Sequence, residues 1–137
     1  MLQNLFVYGT LMSHAGHPMG ARLARESRLI GHGMLPGKLL DLGRYPALVE
    51  PGADGELVYG EVRALNTPAT SLRWLDDYER IIPGREAQSD YARLTRTVQL
   101  QTGGEVAAWA YVFQARLIRP RFIADGRWRG PRELGGE

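Results

Sequence analysis

The first hydrophobic run of the chain is short and contains no charged position. Leu5, Phe6, Val7 and Tyr8 are all apolar or aromatic, and Gly9 follows them directly. A short apolar run that is closed by glycine predicts a strand buried on both faces. A loop is therefore predicted after Gly9.

The rest of the chain alternates between strand-like runs and two helical segments. Helical composition is found in residues 19–29, and a second helix is predicted from the Thr67-Pro68 pair to about Arg80. The Thr102-Gly103-Gly104 turn joins two strand-like runs into a predicted β-hairpin. The predicted strands lie around residues 38–40, at 47–49, from Leu57 to Leu65, from Tyr91 to Gln101 and from Glu105 to Gln114.

This order of elements predicts the fold class. Five or six strands and two helices, with several strands neighbouring in sequence, indicate a mixed α+β domain whose sheet is mostly antiparallel. Strand glycines allow such a sheet to curl towards a small barrel, and Gly60 indicates a bulge or a close approach by another segment. Residues 115–137 are expected to form an irregular, arginine-rich tail.

Composition narrows the class of protein. The 137 residues are expected to form a single domain, 1–137, and 44% hydrophobic with 23% charged residues is typical of globular chains. The absence of cysteine excludes disulfides, thiolate metal ligands and cysteine nucleophiles. No apolar run approaches the ~18 residues of a membrane span, and the first residues do not resemble a signal peptide. A cytoplasmic protein is therefore expected.

Glu79 is the most informative charged position. On a helical wheel for residues 68–82, Glu79 falls about 20° from Leu72, near the centre of an apolar stripe. A carboxylate there faces the core or a pocket, where burial without a partner raises its pKa. Perturbed carboxylates of this kind are common at active sites. The alternative is that the helix ends early and leaves Glu79 on a solvated turn.

Asp76 lies at the edge of the same stripe, about 40° from Leu72. Two carboxylates three residues apart could form an acid/base pair. A bond from Asp76 to neighbouring backbone or to an arginine is the favoured interpretation.

The segment Tyr8-Gly9-Thr10-Leu11 is the second candidate site. A buried strand that ends in glycine and threonine presents backbone N–H groups without a partner in a sheet, and such a turn can bind a carboxylate or phosphate. An ordinary turn between strand and loop is the alternative. The Gly-Lys-Ser/Thr signature of a P-loop is absent.

Metal and serine-hydrolase chemistry have less support. His14 and His17 have the spacing of a metal pair, but their loop offers no carboxylate or thiolate ligand. His14, His17 and His32 are therefore expected to be surface or structural residues, and no metal site is predicted. The serines lack a G-x-S-x-G context.

Arginines cluster near the C-terminus. Residues 116–132 contain six arginines against Asp125 alone, with Phe122 and Trp128 among them. Nucleic-acid binding is one interpretation, but a solvated surface whose aromatic side chains anchor the tail is favoured, and no nucleic-acid partner is expected. The arginines are Arg116, Arg119, Arg121, Arg127, Arg129 and Arg132.

Several motifs, taken together and in order, resemble the γ-glutamylcyclotransferase-like family, which includes γ-glutamylamine cyclotransferases and plant avirulence-induced proteins. Phe6-Val7-Tyr8-Gly9-Thr10-Leu11 resembles its Y-G-[ST]-L signature, and Leu75-Asp76-Asp77-Tyr78-Glu79 resembles its L-D-x-[YF]-E helix. These two motifs are fairly specific in combination. Weaker matches are Tyr45-Pro46-Ala47-Leu48, Gly60-Glu61-Val62, Ala110-Tyr111-Val112 and Ile123-Ala124-Asp125-Gly126-Arg127-Trp128.

The resemblance implies a compact fold built round a small β-barrel, with a pocket in which loop 8–11 holds the α-amino-acid end of a γ-glutamyl group. Glu79 matches the family's acid/base glutamate. The implied reaction closes a small γ-glutamyl substrate into 5-oxoproline and releases an amine or amino acid, without a cofactor or metal.

The chain departs from the family pattern at Arg80, where many members have glycine. This cation could narrow the pocket or pair with the leaving group of the substrate. A catalytically silent module that binds the same group is the alternative to an enzyme. An ion pair from Glu79 to Arg80 or Arg85 would favour that alternative.

Overall fold

The computed structural model describes residues 2–117 and 119–131, apart from the side chain of His14. Within these residues the chain forms two α-helices and eight strands, and neither helix is long and apolar enough to cross a membrane. The helices are α1 (Pro18–Arg25) and α2 (Pro68–Tyr78), and the strands are β1 (Asn4–Val7), β2 (Ser27–Pro36), β3 (Lys38–Asp41), β4 (Pro46–Val49), β5 (Leu57–Leu65), β6 (Tyr91–Leu100), β7 (Glu105–Phe113) and β8 (Phe122–Ile123).

Five of the described strands close into a barrel. Their order is β1-β5-β2-β6-β7, and a parallel contact between β1 and β7, with Leu5 opposite Trp109, completes the circle. Strands β4, β3 and β8 continue the sheet outward from β7. Apart from β4 with β7, the other neighbouring pairs are antiparallel. The mixed α+β fold and the small, mostly antiparallel barrel predicted from the sequence are confirmed.

Strand β1 lies at the centre of the core. Leu5, Phe6 and Val7 are each at most 3% exposed, which confirms a strand buried on both faces. The strand contacts β5 on one side and β7 on the other, so both of its edges face other strands. The loop that follows β1 therefore lies at one end of the barrel, held in position by the paired strand.

Strand β5 has the predicted bounds, and its glycine marks a close approach of backbones. A Cβ on Gly60 would overlap the carbonyl oxygen of Val7 and lie 2.8 Å from Phe6 Cζ. Strands β1 and β5 can pack this closely because residue 60 has no side chain. The close approach predicted at Gly60 is confirmed, as is the β6–β7 hairpin.

The first helix is shorter than predicted. The helix expected over residues 19–29 ends at Arg25, and residues from Ser27 onward form β2 instead. Strand β2 pairs with β5 along its whole length. These non-local hydrogen bonds outweigh the helical propensity of a short segment, because tertiary contacts decide the structure of such segments. The described strands therefore outnumber the five or six expected.

The segment after β7 is more ordered than the irregular tail predicted for residues 115–137. Residues 122–123 form β8, which pairs with β3, and Trp128 is only 6% exposed. The N–H of Tyr59 donates to the carbonyl of Gly126 at 2.9 Å and ties this segment to β5. Trp128 thus anchors the segment to the core, while Arg132 lies outside the described residues.

Candidate active site

A cavity of about 190 Å³ opens at the end of β1, where the following loop meets the end of α2. The five residues that the sequence predicts for the binding and catalytic site all line it: Tyr8, Gly9, Thr10 and Leu11 on the loop, and Glu79 directly after the helix. Strands β6 and β7 and the turn before β4 supply further walls. The fold therefore brings together two segments that are far apart in the sequence.

Glu79 caps α2 rather than lying within it. The helix ends at Tyr78, and Glu79 has φ −82° and ψ 3°. Its N–H donates to the carbonyl of Leu75 at 2.9 Å, so its backbone still follows the helical path. The early end of the helix, which was the alternative, does occur. Glu79 nevertheless lines the cavity and is only partly accessible to solvent.

The surroundings of Glu79 change its acidity. Burial raises the pKa of the Glu79 carboxyl to about 7, and the negative charge of Asp76 contributes to the shift. Among the described residues, none forms an ion pair or hydrogen bond with this carboxylate. Arg80 and Arg85 are exposed, and Arg80 also lines the cavity. A carboxyl group with these properties can accept and release a proton near neutral pH.

The loop after β1 offers unpaired backbone donors to the cavity. The N–H of Met12 donates to the carbonyl of Gly9 at 3.0 Å and closes a turn. No described residue accepts a hydrogen bond from the N–H groups of Gly9, Thr10 or Leu11. Clustered amides without internal acceptors can bind the oxygens of an anion. The loop therefore has the free donors that an anion-binding turn requires, and its role in binding stays a prediction.

Tyrosine side chains form much of the cavity wall, a feature that the sequence reasoning missed. Five of the six tyrosines of the chain line the cavity. Burial is the largest cause that raises the pKa of Tyr8, Tyr78, Tyr91 and Tyr111, so these phenols stay neutral. The fifth is Tyr45. In the sequence, Tyr8 and Tyr78 lie in the two specific family motifs, and Tyr45 and Tyr111 lie in the weaker ones. Of these tyrosines, only Tyr8 was predicted to line the site.

Two of these tyrosines hold the site together. The Tyr8 hydroxyl donates to the carbonyl of Tyr111 at 2.6 Å and accepts from the N–H of Leu48 at 3.2 Å. It thereby joins the end of β1 to β7 and β4. The hydroxyls of Thr10 and Tyr78 are 2.8 Å apart and join the loop to the end of α2.

Asp76 has its own partners and does not pair with Glu79. The Arg93 Nε atom lies 2.8 Å from Asp76 Oδ1, and the Tyr111 hydroxyl donates to the same oxygen at 2.6 Å. The favoured interpretation, an arginine partner for Asp76, is confirmed. Asp76 acts on Glu79 at a distance, through its charge.

Glu61 is a second carboxylate near the loop, and the sequence reasoning assigned it no role. It is 1% exposed on β5 and accepts hydrogen bonds from the N–H of Ser13 at 2.9 Å and its hydroxyl at 2.6 Å. Ser13 follows the loop that lines the cavity, so Glu61 fixes the far end of this loop to the barrel. The sequence did contain a signal for this role, because Glu61 is a charged residue within an otherwise largely apolar predicted strand.

The described histidines lie outside the cavity at Glu79. His17 Nδ1 accepts from the N–H of Met19 at 3.1 Å and caps α1, which confirms a structural role. The His32 side chain is 60% exposed and lies 3.7 Å from a Glu61 oxygen. The His14 side chain lies outside the described residues. Among those residues no group of three or more His, Asp or Glu side chains could hold a metal.

The helix that carries Glu79 ends in a Schellman motif. The N–H of Ile81 donates to the carbonyl of Asp76 at 2.9 Å, and the N–H of Arg80 donates to that of Asp77 at 3.0 Å. Arg80 takes the left-handed conformation of this motif, with φ 60°. Glycine adopts this conformation without steric cost, whereas the side chain of Arg80 is crowded by its own backbone.

Replacing Arg80 with glycine is expected to raise the free energy of unfolding by about 1 kcal/mol, because the left-handed backbone then carries no Cβ. Chemical denaturation measures this change. Arg85→Gly is the control, since Arg85 is an exposed neighbour with a negative φ of −133° and should gain nothing. A lower free energy of unfolding for Arg80→Gly than for the wild type would show that Arg80 is not strained at this position.

Solved structures with the same fold come from bacteria and a mammal. YkqA from Bacillus subtilis is 26% identical with a TM-score of 0.69, and the match covers 93% of this chain but 40% of YkqA. YtfP from Escherichia coli is 28% identical with a TM-score of 0.60, covering 91% and 95% of the two chains. An AIG2-like protein from Mus musculus is 23% identical with a TM-score of 0.69, covering 97% and 98%, and shows the fold alone.

The family assignment rests on the length of the chain that matches. No functionally curated protein matches it. The family described as gamma-glutamyl cyclotransferase, AIG2-like, matches residues 5–130, from β1 to the segment anchored by Trp128. This range contains the loop after β1 and Glu79. The chain therefore belongs to the γ-glutamyl cyclotransferase, AIG2-like family.

Proposed function

We propose that the protein is a cyclotransferase that converts a γ-glutamyl amide into 5-oxoproline and releases an amine or amino acid. The observation that carries this proposal is the state of Glu79. Its carboxyl group has a pKa of about 7, lines a cavity and has no ion-pair partner among the described residues. Membership of a family that includes γ-glutamyl cyclotransferases supports the same activity.

The proposed reaction is an intramolecular aminolysis. The α-amino nitrogen of the substrate attacks its own γ-carbonyl carbon and closes a five-membered lactam, while the bond from this carbon to the amide nitrogen breaks. Because both reacting groups belong to one molecule, the protein mainly needs to hold the conformer that closes the ring. No atom changes oxidation state, so the step requires no redox cofactor.

Glu79 would carry the proton between the two nitrogens. Its carboxylate accepts a proton from the attacking amine and passes it to the leaving nitrogen, so the group ends in its starting state. A pKa near the working pH suits both transfers, and such acid/base help typically contributes ~10²–10⁴-fold in rate. Because none of the residues that the structure describes pairs with it, the carboxylate is available for this role.

The loop after β1 would hold the other end of the substrate. The N–H groups of Gly9, Thr10 and Leu11 are proposed to bind its α-carboxylate, with the ring of Tyr8 beside it. In this binding mode the α-amine of the substrate would lie between the loop and Glu79. The hydrogen bonds from Tyr8 to neighbouring strands would keep the loop in place before the substrate arrives.

A small molecule is the proposed partner, rather than a nucleic acid or a membrane. Among the arginines near the C-terminus, Arg129 is engaged within the protein, since it pairs with Asp125. Trp128 in the same segment is only 6% exposed and packs into the core. These contacts favour the solvated, anchored surface expected from the sequence over a nucleic-acid interface.

A screen for 5-oxoproline release tests the proposed function. The protein is incubated with a panel of γ-glutamyl amines and γ-glutamyl amino acids, and 5-oxoproline is quantified. At least one member of the panel should be converted. Binding of panel members without release of 5-oxoproline from any of them would identify a silent binding module instead.

Substituting valine for Gly9 is expected to weaken binding of a non-cyclising γ-glutamyl analogue by about tenfold or more, because lost hydrogen bonds to a charged group have this effect. A Cβ on Gly9 would lie 2.7 Å from Pro46 Cγ, so the turn must shift and move its amides. Titration calorimetry measures the affinity. Gly31→Val is the control, since a Cβ there meets no atom within 4 Å. Unchanged affinity of Gly9→Val for the analogue would show that the N–H groups of the loop do not bind it.

A further inference from the structure

A second cavity, of about 350 Å³, lies next to the loop that follows β1. Strands β2 and β5, the residue after β6 and the segment after β8 form it, and it shares no lining residue with the cavity at Glu79. Met12 lines the second cavity, whereas its neighbour Leu11 lines the first. The second cavity is therefore separate from the proposed active site.

Trp128 gives this cavity a buried hydrogen-bond donor. Its side chain lines the cavity and is 6% exposed, and its indole N–H has no acceptor among the described residues. The two other indole N–H groups are satisfied, because Trp74 donates to Glu26 Oε1 at 2.7 Å and Trp109 donates to the carbonyl of Leu2 at 3.1 Å. The nitrogen itself is closed to solvent. A buried donor without an acceptor destabilises a protein, so a small shift of the indole that brings this N–H to an oxygen atom of a ligand would be favourable.

The exposed residues that line this cavity include two arginines and no carboxylate. The arginines are Arg127 and Arg129, and neither Asp nor Glu lines the cavity. Arg129 already pairs with Asp125. The guanidinium of Arg127 lies 3.8 Å from the centre of the Tyr59 ring, and none of the described residues forms an ion pair with it. A stacked guanidinium keeps its N–H edge free, and this edge matches a carboxylate in geometry.

We propose that this cavity binds a small organic carboxylate with an apolar body and a carbonyl oxygen. The Arg127 guanidinium pairs with the carboxylate, the Trp128 N–H donates to the carbonyl oxygen, and Met12 and Met34 contact the apolar body. A phosphate ester fits less well, because its two charges need more donors than one unpaired arginine provides. The site does not depend on the chemistry proposed at Glu79.

Indole N–H resonances in ¹H–¹⁵N NMR spectra of the whole chain test the proposal with 5-oxohexanoate as the probe. The Trp128 signal is expected to move as its N–H gains an acceptor, while the signals of Trp74 and Trp109, which already have acceptors, stay in place. Trp128→Phe identifies the resonance. A Trp128 signal that does not move at millimolar 5-oxohexanoate would overturn the proposal.

Matched variants and probes test the role of charge. Arg127→Gln should weaken 5-oxohexanoate binding about tenfold or more, as loss of a charge-assisted pair does. Arg119→Gln should leave it unchanged, since Arg119 is an exposed arginine of the same segment that does not line the cavity. Hexan-2-one keeps the carbonyl and the apolar body but has no charge, and it should bind more weakly. Equal binding of hexan-2-one, or tighter binding of hexyl phosphate, would overturn the assignment of a carboxylate.

Discussion

Replacing Glu79 with glutamine is expected to lower the rate of 5-oxoproline release ~10²-fold or more while the protein stays folded. Glutamine preserves the shape of the side chain, but it cannot take a proton from the attacking amine. Asp77→Asn is the matched control, because it removes an exposed carboxylate from the same helix and should leave the rate unchanged. Full activity of Glu79→Gln on a verified substrate would show that another group carries the proton.

The pH dependence of the rate follows from the same residue. Because the carboxylate form accepts the proton and its pKa is about 7, kcat/KM should rise with pH below 7 and level off above it. The residual kcat/KM of Glu79→Gln should not show this rise with pH. If kcat/KM of the wild type instead rose with a midpoint near pH 4.5, the ordinary pKa of a glutamate, the raised pKa would be contradicted.

Protein stability should depend on pH in the opposite direction. A carboxyl group with a higher pKa in the folded state binds its proton more tightly there, so its stabilising contribution is complete below pH 4.5 and is lost as the pH rises through 7. Glu79→Gln carries no charge at either pH. Relative to the wild type, it should therefore be more stable at about pH 8 than at about pH 5. Thermal unfolding at both pH values measures this difference, and an equal difference at both would contradict the burial of the carboxylate.

Introducing alanine at Gly60 is expected to lower the free energy of unfolding by about 3 kcal/mol, the upper range for overpacking a core. The new methyl group would overlap the carbonyl oxygen of Val7 and press on Phe6. Strands β1 and β5 would have to separate, and β1 is buried on both faces. For a domain of this size, we expect Tm to fall by about 10 °C.

Gly31→Ala provides the control for Gly60→Ala. It makes the same chemical change on the neighbouring strand β2, but a Cβ at Gly31 meets no atom within 4 Å. The Tm of this variant should stay close to that of the wild type. Similar values of Tm for Gly60→Ala and the wild type would mean that β1 and β5 can move apart without cost.

Elements with a strong local signal were predictable from the sequence. The run from Leu57 to Leu65 and the hairpin around Gly103 carry alternating patterns and turn residues, and the structure forms both. The position of Glu79 was predictable as well, because the helical wheel depends only on the local backbone. The helix ends at Tyr78, about two residues before the predicted end. The wheel still gave the right direction for the side chain, since Glu79 retains near-helical φ and ψ angles.

The remaining features depend on partners that are distant in the sequence. Residues from Ser27 to Ile30 join β2 because β5 offers a full edge for pairing, and nothing in their own pattern indicates this. The tyrosine wall of the cavity likewise exists only once β6 and β7 stand beside the loop. Single-residue patterns cannot reveal which side chains meet across a closed barrel.

During synthesis on the ribosome, the cavity can form only after β7 has left the exit tunnel. The barrel closes through Leu5 and Trp109, which are near opposite ends of the chain, and the Tyr8 hydroxyl needs the carbonyl of Tyr111. A nascent chain that ends before Glu105 already contains the loop and Glu79. It holds every residue of the proposed catalytic set, yet it has no enclosed pocket in which they could act.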